Sequence, residues 1–193
     1  MFRLEPYTKR VHLDIADGDF VPNKTIDGYD EIMSIETASD FDVHLMVKNP
    51  QEVLRRWVFT NADRYILHIE SEGDIAKAIV QVKEIGRKVG LAIKPETPTE
   101  KLEPYLKDID FVQFMTVHPG FQGGEFVEEV VDKVSEFHKK YPDIMIMADG
   151  GITPQTSGRL VTAGVSALVS GSYIVKSENV EKAIKDLEES IKY

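Results

Sequence analysis

Arg64-Tyr65-Ile66-Leu67-His68-Ile69, then the segment Asp74–Lys88, then Gly90-Leu91-Ala92-Ile93: this stretch, residues 64–93, decides the fold class. Its two ends are short apolar runs, too brief for helices and bounded by turn residues, and they read as strands. The middle carries its apolar residues at the three- and four-residue spacing of a helix that packs one face on a sheet. Strand, helix, strand in that order joins two parallel strands. Working outward, the same alternation continues in both directions. Strands are expected at Arg10–Ile15, Phe41–Met46, Arg64–Ile69, Gly90–Ile93, Phe111–Val117, Ile144–Ala148 and Ala167–Gly171. Helices are expected at Asn49–Thr60, Asp74–Lys88, Thr99–Lys107, Phe126–Tyr141 and Thr153–Ala163, with Asn179–Tyr193 closing the chain. Asn49-Pro50, Thr97-Pro98-Thr99 and Thr153-Pro154 each set a capping side chain and a proline at or near a helix start. The class is α/β with parallel strands, and the pattern alone leaves open a doubly wound sheet or a closed (β/α)8 barrel.

The 193 residues suit a single domain, 1–193, and no linker, low-complexity tract or composition shift marks a boundary. Hydrophobic residues at 42% and charged residues at 29% are the proportions of a globular protein rather than a coiled coil or disordered tail. Cysteine is absent, which removes disulfides, thiolate metal sites and cysteine nucleophiles and suits a reducing, cytoplasmic setting. No apolar run approaches the ~20 residues needed to cross a bilayer. A net charge of −10 argues against nucleic acid or an anionic membrane as partner. An anionic metabolite would need local donors, which backbone N–H groups can supply.

Polar residues stand where core strands do not usually carry them. His12, Asp14, His44, His68 and Asp149 lie in or directly after expected strands. Side chains two apart on a strand share a face, so His12 goes with Asp14 and His44 with Met46. Any one of them taken singly reads as a satisfied core group, because a buried imidazole or carboxylate is stable once paired. Together, two His and two Asp from separate strands converging at one end of a barrel make a site for Zn²⁺ or another divalent first-row metal.

Glycines form a second set: Gly120, Gly123 and Gly124, then Gly150-Gly151, then Gly171-Ser172, each following one of the last three strands. Backbone approaches an anion closely at such loops, and late strand-to-helix loops are a recurrent phosphate site in barrels. His138 reads as a surface residue of a helix, Trp57 as core, and Lys182–Glu189 as a solvated helix face. His118, beside Pro119, faces either the site or the loop.

The block His12-Leu13-Asp14-Ile15-Ala16-Asp17-Gly18-Asp19-Phe20-Val21-Pro22-Asn23 resembles a signature of the ribulose-phosphate 3-epimerase family. Asp42-Val43-His44-Leu45-Met46-Val47, Ala92-Ile93-Lys94-Pro95, Met115-Thr116-Val117-His118-Pro119-Gly120-Phe121, Asp149-Gly150-Gly151 and Ser170-Gly171-Ser172 follow in the family's order. The resemblance covers about residues 11–177. It implies a (β/α)8 TIM barrel of the ribulose-phosphate-binding type that epimerises a ketose phosphate at carbon 3, interconverting D-ribulose 5-phosphate and D-xylulose 5-phosphate. It implies one divalent metal ion (Zn, Fe, Mn or Co) on His12, Asp14, His44 and Asp149, with Asp14 and Asp149 also the acid/base pair. It further implies a phosphate on the amides of Gly150-Gly151 and Gly171-Ser172, Met46 and Met115 as an apolar wall, and a homo-oligomer.

The chain departs from the family at three places. Gln122 stands two places earlier than in the usual Gly-Phe-Gly-Gly-Gln, and Ala16 stands where a methionine is usual. Only Met1–Arg10 precedes the His-x-Asp strand, so the family's first strand and most of its first helix are expected to be missing, an N-terminal truncation. Two other functions fit the motifs: an allulose 6-phosphate 3-epimerase, and a non-catalytic remnant that binds metal or sugar phosphate. A hexulose-phosphate synthase would need Asp-x-Lys-x-x-Asp, which the sequence lacks.

Overall fold

Among the described residues, seven parallel strands alternate with helices, as the sequence pattern requires. A computed structural model describes residues 4–25, 28–120 and 123–192; Phe121 and Gln122 of the glycine loop lie outside the described residues. The strands are β1 (Arg10–Ala16), β2 (Asp40–Met46), β3 (Arg64–His68), β4 (Lys88–Ile93), β5 (Phe111–Met115), β6 (Met145–Asp149) and β7 (Ala167–Val169). The helices are α1 (Tyr29–Ser34), α2 (Pro50–Trp57), α3 (Ile75–Glu84), α4 (Glu129–Lys140), α5 (Pro154–Ala163), α6 (Ser172–Val175) and α7 (Val180–Ser190), with a 3-10 helix at Thr99–Tyr105. Each expected element is present, displaced at its ends by one to a few residues.

The differences have local causes. The helix expected over Thr99–Lys107 is a 3-10 helix over Thr99–Tyr105, with Pro104 inside it supplying no N–H to an α-helical ladder. The strands expected to reach Ile69, Val117 and Gly171 stop at His68, Met115 and Val169, where the chain turns into loops. α1 and α6, at six and four residues, are too short to carry a readable period and went unseen.

Contacts group the chain into two compact units, Met1–Ala92 with Pro104–Asp110, and Ile93–Glu103 with Phe111–Tyr193. In the first, β1 pairs with β2 in a register running from Arg10 opposite Asp40 to Ala16 opposite Met46. β3 follows with Val43 opposite Tyr65 and His44 opposite Ile66, and β4 with Tyr65 opposite Val89. The Tyr65 hydroxyl donates to the Trp57 carbonyl at 2.7 Å, so one face of β3 turns to the end of α2. Alternation then sends Ile66 and His68 to the opposite face. Leu54 and Trp57 of α2 and Ala78, Ile79 and Val82 of α3 are buried, which places the apolar stripes against the sheet.

Arg10 ties the strand starts of this unit together. Its guanidinium donates to Asp40 at 3.0 Å, Asp42 at 2.7 Å and Asp63 at 2.9 Å. Burial pushes the Asp42 carboxyl above its usual range, against the pull of Arg10 and Arg64.

In the second unit β5, β6 and β7 pair in order, with Met115 opposite Asp149 and Asp149 opposite Val169. Phe114 meets Phe137 of α4 edge-on at 5.4 Å, so alternation sends Gln113 and Met115 to the other face of β5. α5 opens on a reciprocal capping box of Thr153 and Thr156 followed by Pro154 and closes on Gly164 at φ 114. A side chain at Gly164 would lie 2.4 Å from the His138 ring. His138 is therefore half-buried against α5, where a surface position was expected, whereas Trp57 is core as expected.

Candidate functional site

The β1/β2 register sets the first half of the site by placing Asp14 directly opposite His44 and Ala16 opposite Met46. His44 Nδ1 lies 2.9 Å from Asp14 Oδ1, and His12 Nε2 lies 3.5 Å from the same oxygen. His44 is fully buried, while the Asp14 side chain stays 46% exposed, so the carboxylate faces the open end of the cluster. The ring of His44 continues inward: its Nε2 is 2.9 Å from His68 Nε2, with the rings stacked at 4.9 Å. His68 Nδ1 in turn meets Glu70 Oε2 at 3.1 Å. Met46 packs with Ala16 and Val21, with Phe20 against them, and the Phe20 ring lies 4.7 Å from His68.

The loop after β1 is held by one carboxylate. Asp17 accepts from the amides of Asp19 and Phe20, both at 2.9 Å, and from Lys48 at 2.6 Å. Partial burial works against its ionisation, but these N–H donors prevail and hold its pKa below the ordinary range.

The electrostatics of the cluster suit a cation. Burial, reinforced by the neighbouring His44, pushes the His12 pKa down to about 4, so near neutral pH the ring offers a lone pair. Burial resists ionisation of Asp14, but the close His44 imidazole, with His12 and His68 near it, outweighs burial and holds the carboxyl below its usual range. His12, Asp14 and His44 each turn a ligand atom inward, all within 4.8 Å of one another. Two imidazoles and a carboxylate with no thiolate are the donors of Zn²⁺, Fe²⁺, Mn²⁺ or Co²⁺, and the fit to a divalent ion is good.

The second unit places Asp149 at the carboxyl end of β6. Gln113, fully buried, donates from Nε2 to Asp149 Oδ2 at 3.1 Å and lies 3.7 Å from Met115 Sδ. Thr116 braces the backbone there: its N and Oγ1 both donate to the Asp149 carbonyl, and Oγ1 also reaches the Gly150 carbonyl. Gly150 has φ 111, and a Cβ on it would fall 2.4 Å from the Val117 side chain, so only glycine fits. Gly151 follows with its carbonyl bound by Thr156 Oγ1 at 2.9 Å. Ser170 Oγ donates to the Ile152 carbonyl at 3.0 Å, and Gly171-Ser172 open α6. Gly120, Gly123 and Gly124 flank the undescribed pair, with Gly124 against Val117. His118 is exposed and meets Glu96 at 3.4 Å, on the loop side of the two alternatives.

The loop after β4 is fixed from below. Lys133 of α4 donates its ammonium to the carbonyls of Lys94 at 2.9 Å, Pro95 at 3.1 Å and Thr97.

Two residues at the site escaped the sequence reading, Glu70 and Gln113. Gln113 left a signal, a lone amide in the apolar run Phe111-Val112-Gln113-Phe114-Met115; Glu70 sits two residues past His68 in an acidic loop and left none.

The sequence profile described as the ribulose-phosphate 3 epimerase family matches residues 4–175 of this chain. The chain belongs to the ribulose-phosphate 3-epimerase family. It is by that membership an isomerase. The ribulose-phosphate 3-epimerase of Bacillus subtilis is 34% identical over 184 residues, which span 92% of this chain and 84% of that protein. The cytoplasmic isoform of Oryza sativa subsp. japonica is 36% identical over 187 residues, 94% of this chain and 82% of its own length. Among solved structures, a 3-hexulose-6-phosphate synthase superposes with a TM-score of 0.70 at 14% identity, covering 99% of this chain and 91% of its own. The phosphoribosyl anthranilate isomerase of Thermococcus kodakaraensis gives 0.67 at 18%, covering 98% and 91%. At such identities the likeness is one of fold. Of the two architectures left open by the strand–helix pattern, it selects the TIM barrel, with seven parallel strands among the described residues of this family member. No helix among those residues is long and apolar enough to cross a membrane.

Proposed function

We propose that this chain epimerises D-ribulose 5-phosphate and D-xylulose 5-phosphate at carbon 3, with Asp14 and Asp149 as the two proton-transferring groups. One divalent ion would be held by His12, Asp14, His44 and Asp149. The observation that carries this reading is Asp14, an ionised carboxylate at the open end of a buried imidazole cluster. Family membership and the names of the relatives point to the same reaction.

Inversion at a carbon beside a carbonyl needs a base on one face and an acid on the other. Asp14, held below the usual carboxylate range, suits the base role. Asp149, oriented by the Gln113 amide that donates to Oδ2, is assigned the proton delivered at the opposite face of carbon 3. When bound, the divalent ion supplies Lewis-acid stabilisation of the oxyanion that develops as carbon 3 loses its proton. Met46, buried beside Ala16 and Val21, and Met115, buried beside Gln113, are assigned to the apolar wall that keeps water from the reacting carbon. The phosphate is assigned to the amides of Gly150-Gly151 and Gly171-Ser172, which let an acidic protein hold an anion without an arginine clamp.

The test is solvent-deuterium incorporation at carbon 3 of ribulose 5-phosphate, with the six-carbon ketose phosphate run in parallel. Incorporation by the metal-loaded chain, lost on chelation and reduced about 10²–10⁴-fold in Asp14→Asn and Asp149→Asn, is the expected result. No incorporation into either substrate with metal bound would leave a binding protein with an epimerase's motifs. Preference for the six-carbon substrate would reassign the chain to the allulose 6-phosphate reaction.

A further inference from the structure

We propose that His68 and Glu70 are positioning residues that fix the ring orientation and tautomer of His44, so that its Nδ1 presents a lone pair to a divalent ion. The inference rests on the assignment of His44 as a ligand and names the part of the chain that prepares it. Four groups stand in a row: Asp14 Oδ1, 2.9 Å to His44 Nδ1; His44 Nε2, 2.9 Å to His68 Nε2; His68 Nδ1, 3.1 Å to Glu70 Oε2. Both rings are fully buried, and the Glu70 side chain is 14% exposed.

The Nε2 to Nε2 contact admits one hydrogen, on one ring or the other. The Glu70 carboxylate can only accept, so it draws the His68 hydrogen to Nδ1. A neutral His68 then has a lone pair at Nε2 and must accept from His44. That puts the His44 hydrogen on Nε2 and leaves Nδ1 as a lone pair beside Asp14 Oδ1, two facing acceptors that a divalent cation satisfies. The direction of the relay is thus set at its far end, by a residue two positions past the strand. Ligand imidazoles that donate their second N–H to a defined partner are held in orientation and made more basic, and losing such partners costs about 10–100-fold in metal affinity. Here the partner is itself an imidazole, and the carboxylate acts one ring removed. The His44 and His68 rings lie within 25° of coplanar, and the Phe20 ring, tilted 49° across His68 at 4.7 Å, limits its sideways rotation.

Without an acceptor at position 70, His68 is free to carry its hydrogen on Nε2. His44 must then present a lone pair there and hold its own hydrogen at Nδ1, where the ion should bind.

The measurement is Zn²⁺ affinity of the metal-free full chain, by competition with a chromophoric chelator, for wild type, Glu70→Ala, Glu70→Gln and His68→Phe. Glu70→Ala should weaken Zn²⁺ binding about 10–100-fold while the thermal midpoint of the metal-free protein stays put. Glu70→Gln, whose amide oxygen still accepts from His68 Nδ1, should recover most of the loss, a rescue that a mere packing role would not produce. His68→Phe keeps the stacked ring but removes both nitrogens, and should match Glu70→Ala; it carries the test should that variant not fold. At saturating metal, KM for the sugar phosphate should be unchanged in all three. Wild-type affinity in both Glu70→Ala and His68→Phe would overturn the relay and leave the ligand assignment standing. A wild-type chain that takes up no Zn²⁺, Fe²⁺, Mn²⁺ or Co²⁺ would overturn both.

Discussion

His12 shows how one side chain links the site to the stability of the chain. Its pKa of about 4, pushed down first by burial, lies below the 6.5 of an unperturbed imidazole, so between these values the unfolded chain binds the extra proton. Stability contributed by the neutral ring is therefore full above about pH 6.5 and falls as the pH drops towards 4, by up to about 3 kcal/mol. Urea unfolding of the metal-free protein across that window should show the loss, and His12→Asn should flatten it. An unchanged slope in the variant would mean that another group carries the acid sensitivity. At this scale the sequence was informative where residue type alone marks chemistry. His12, Asp14 and His44 stood out because imidazole and carboxylate are costly inside strands. Glu70 and Gln113 did not, since their importance lies in which atom they face, and that depends on contacts between strands.

At the scale of elements, patterning located every strand among the described residues, because β-branched and apolar runs between turns have few alternatives. It missed α1 and α6, whose few residues complete no full period, and it could not foresee the turn in which Pro104 tightens a helix to 3-10 geometry. The joint at the start of β1, β2 and β3 was equally hidden, because its partners Arg10, Asp40, Asp42 and Asp63 are ordinary charges until the register brings them together. Asp42 is the sensitive member, buried beside Arg10 with Arg64 3.8 Å away. Replacing Arg10 by Met leaves that carboxylate with one distant cation, and should lower unfolding free energy by about 2–4 kcal/mol in denaturant titration. Adding Asp42→Asn should return part of it. A single variant as stable as wild type would show that Arg64 alone satisfies Asp42.

For the whole molecule, the net charge of −10 bears on a substrate that is itself an anion. Long-range repulsion is screened by salt, whereas hydrogen bonds from glycine amides act at contact. Raising ionic strength from about 10 to about 200 mM should therefore lower KM for the sugar phosphate about two- to fivefold with kcat steady. A rise in KM would reveal a positive local field that the composition conceals. The ammonium of Lys133, closed in by the carbonyls of Lys94, Pro95 and Thr97, carries a consequence of another kind. An amine so engaged has no free electron pair to attack an acylating reagent. In limited acetylation Lys133 should lag well behind exposed lysines such as Lys77 and Lys182, and its labelling on heating would time the moment at which the loop beyond β4 lets go.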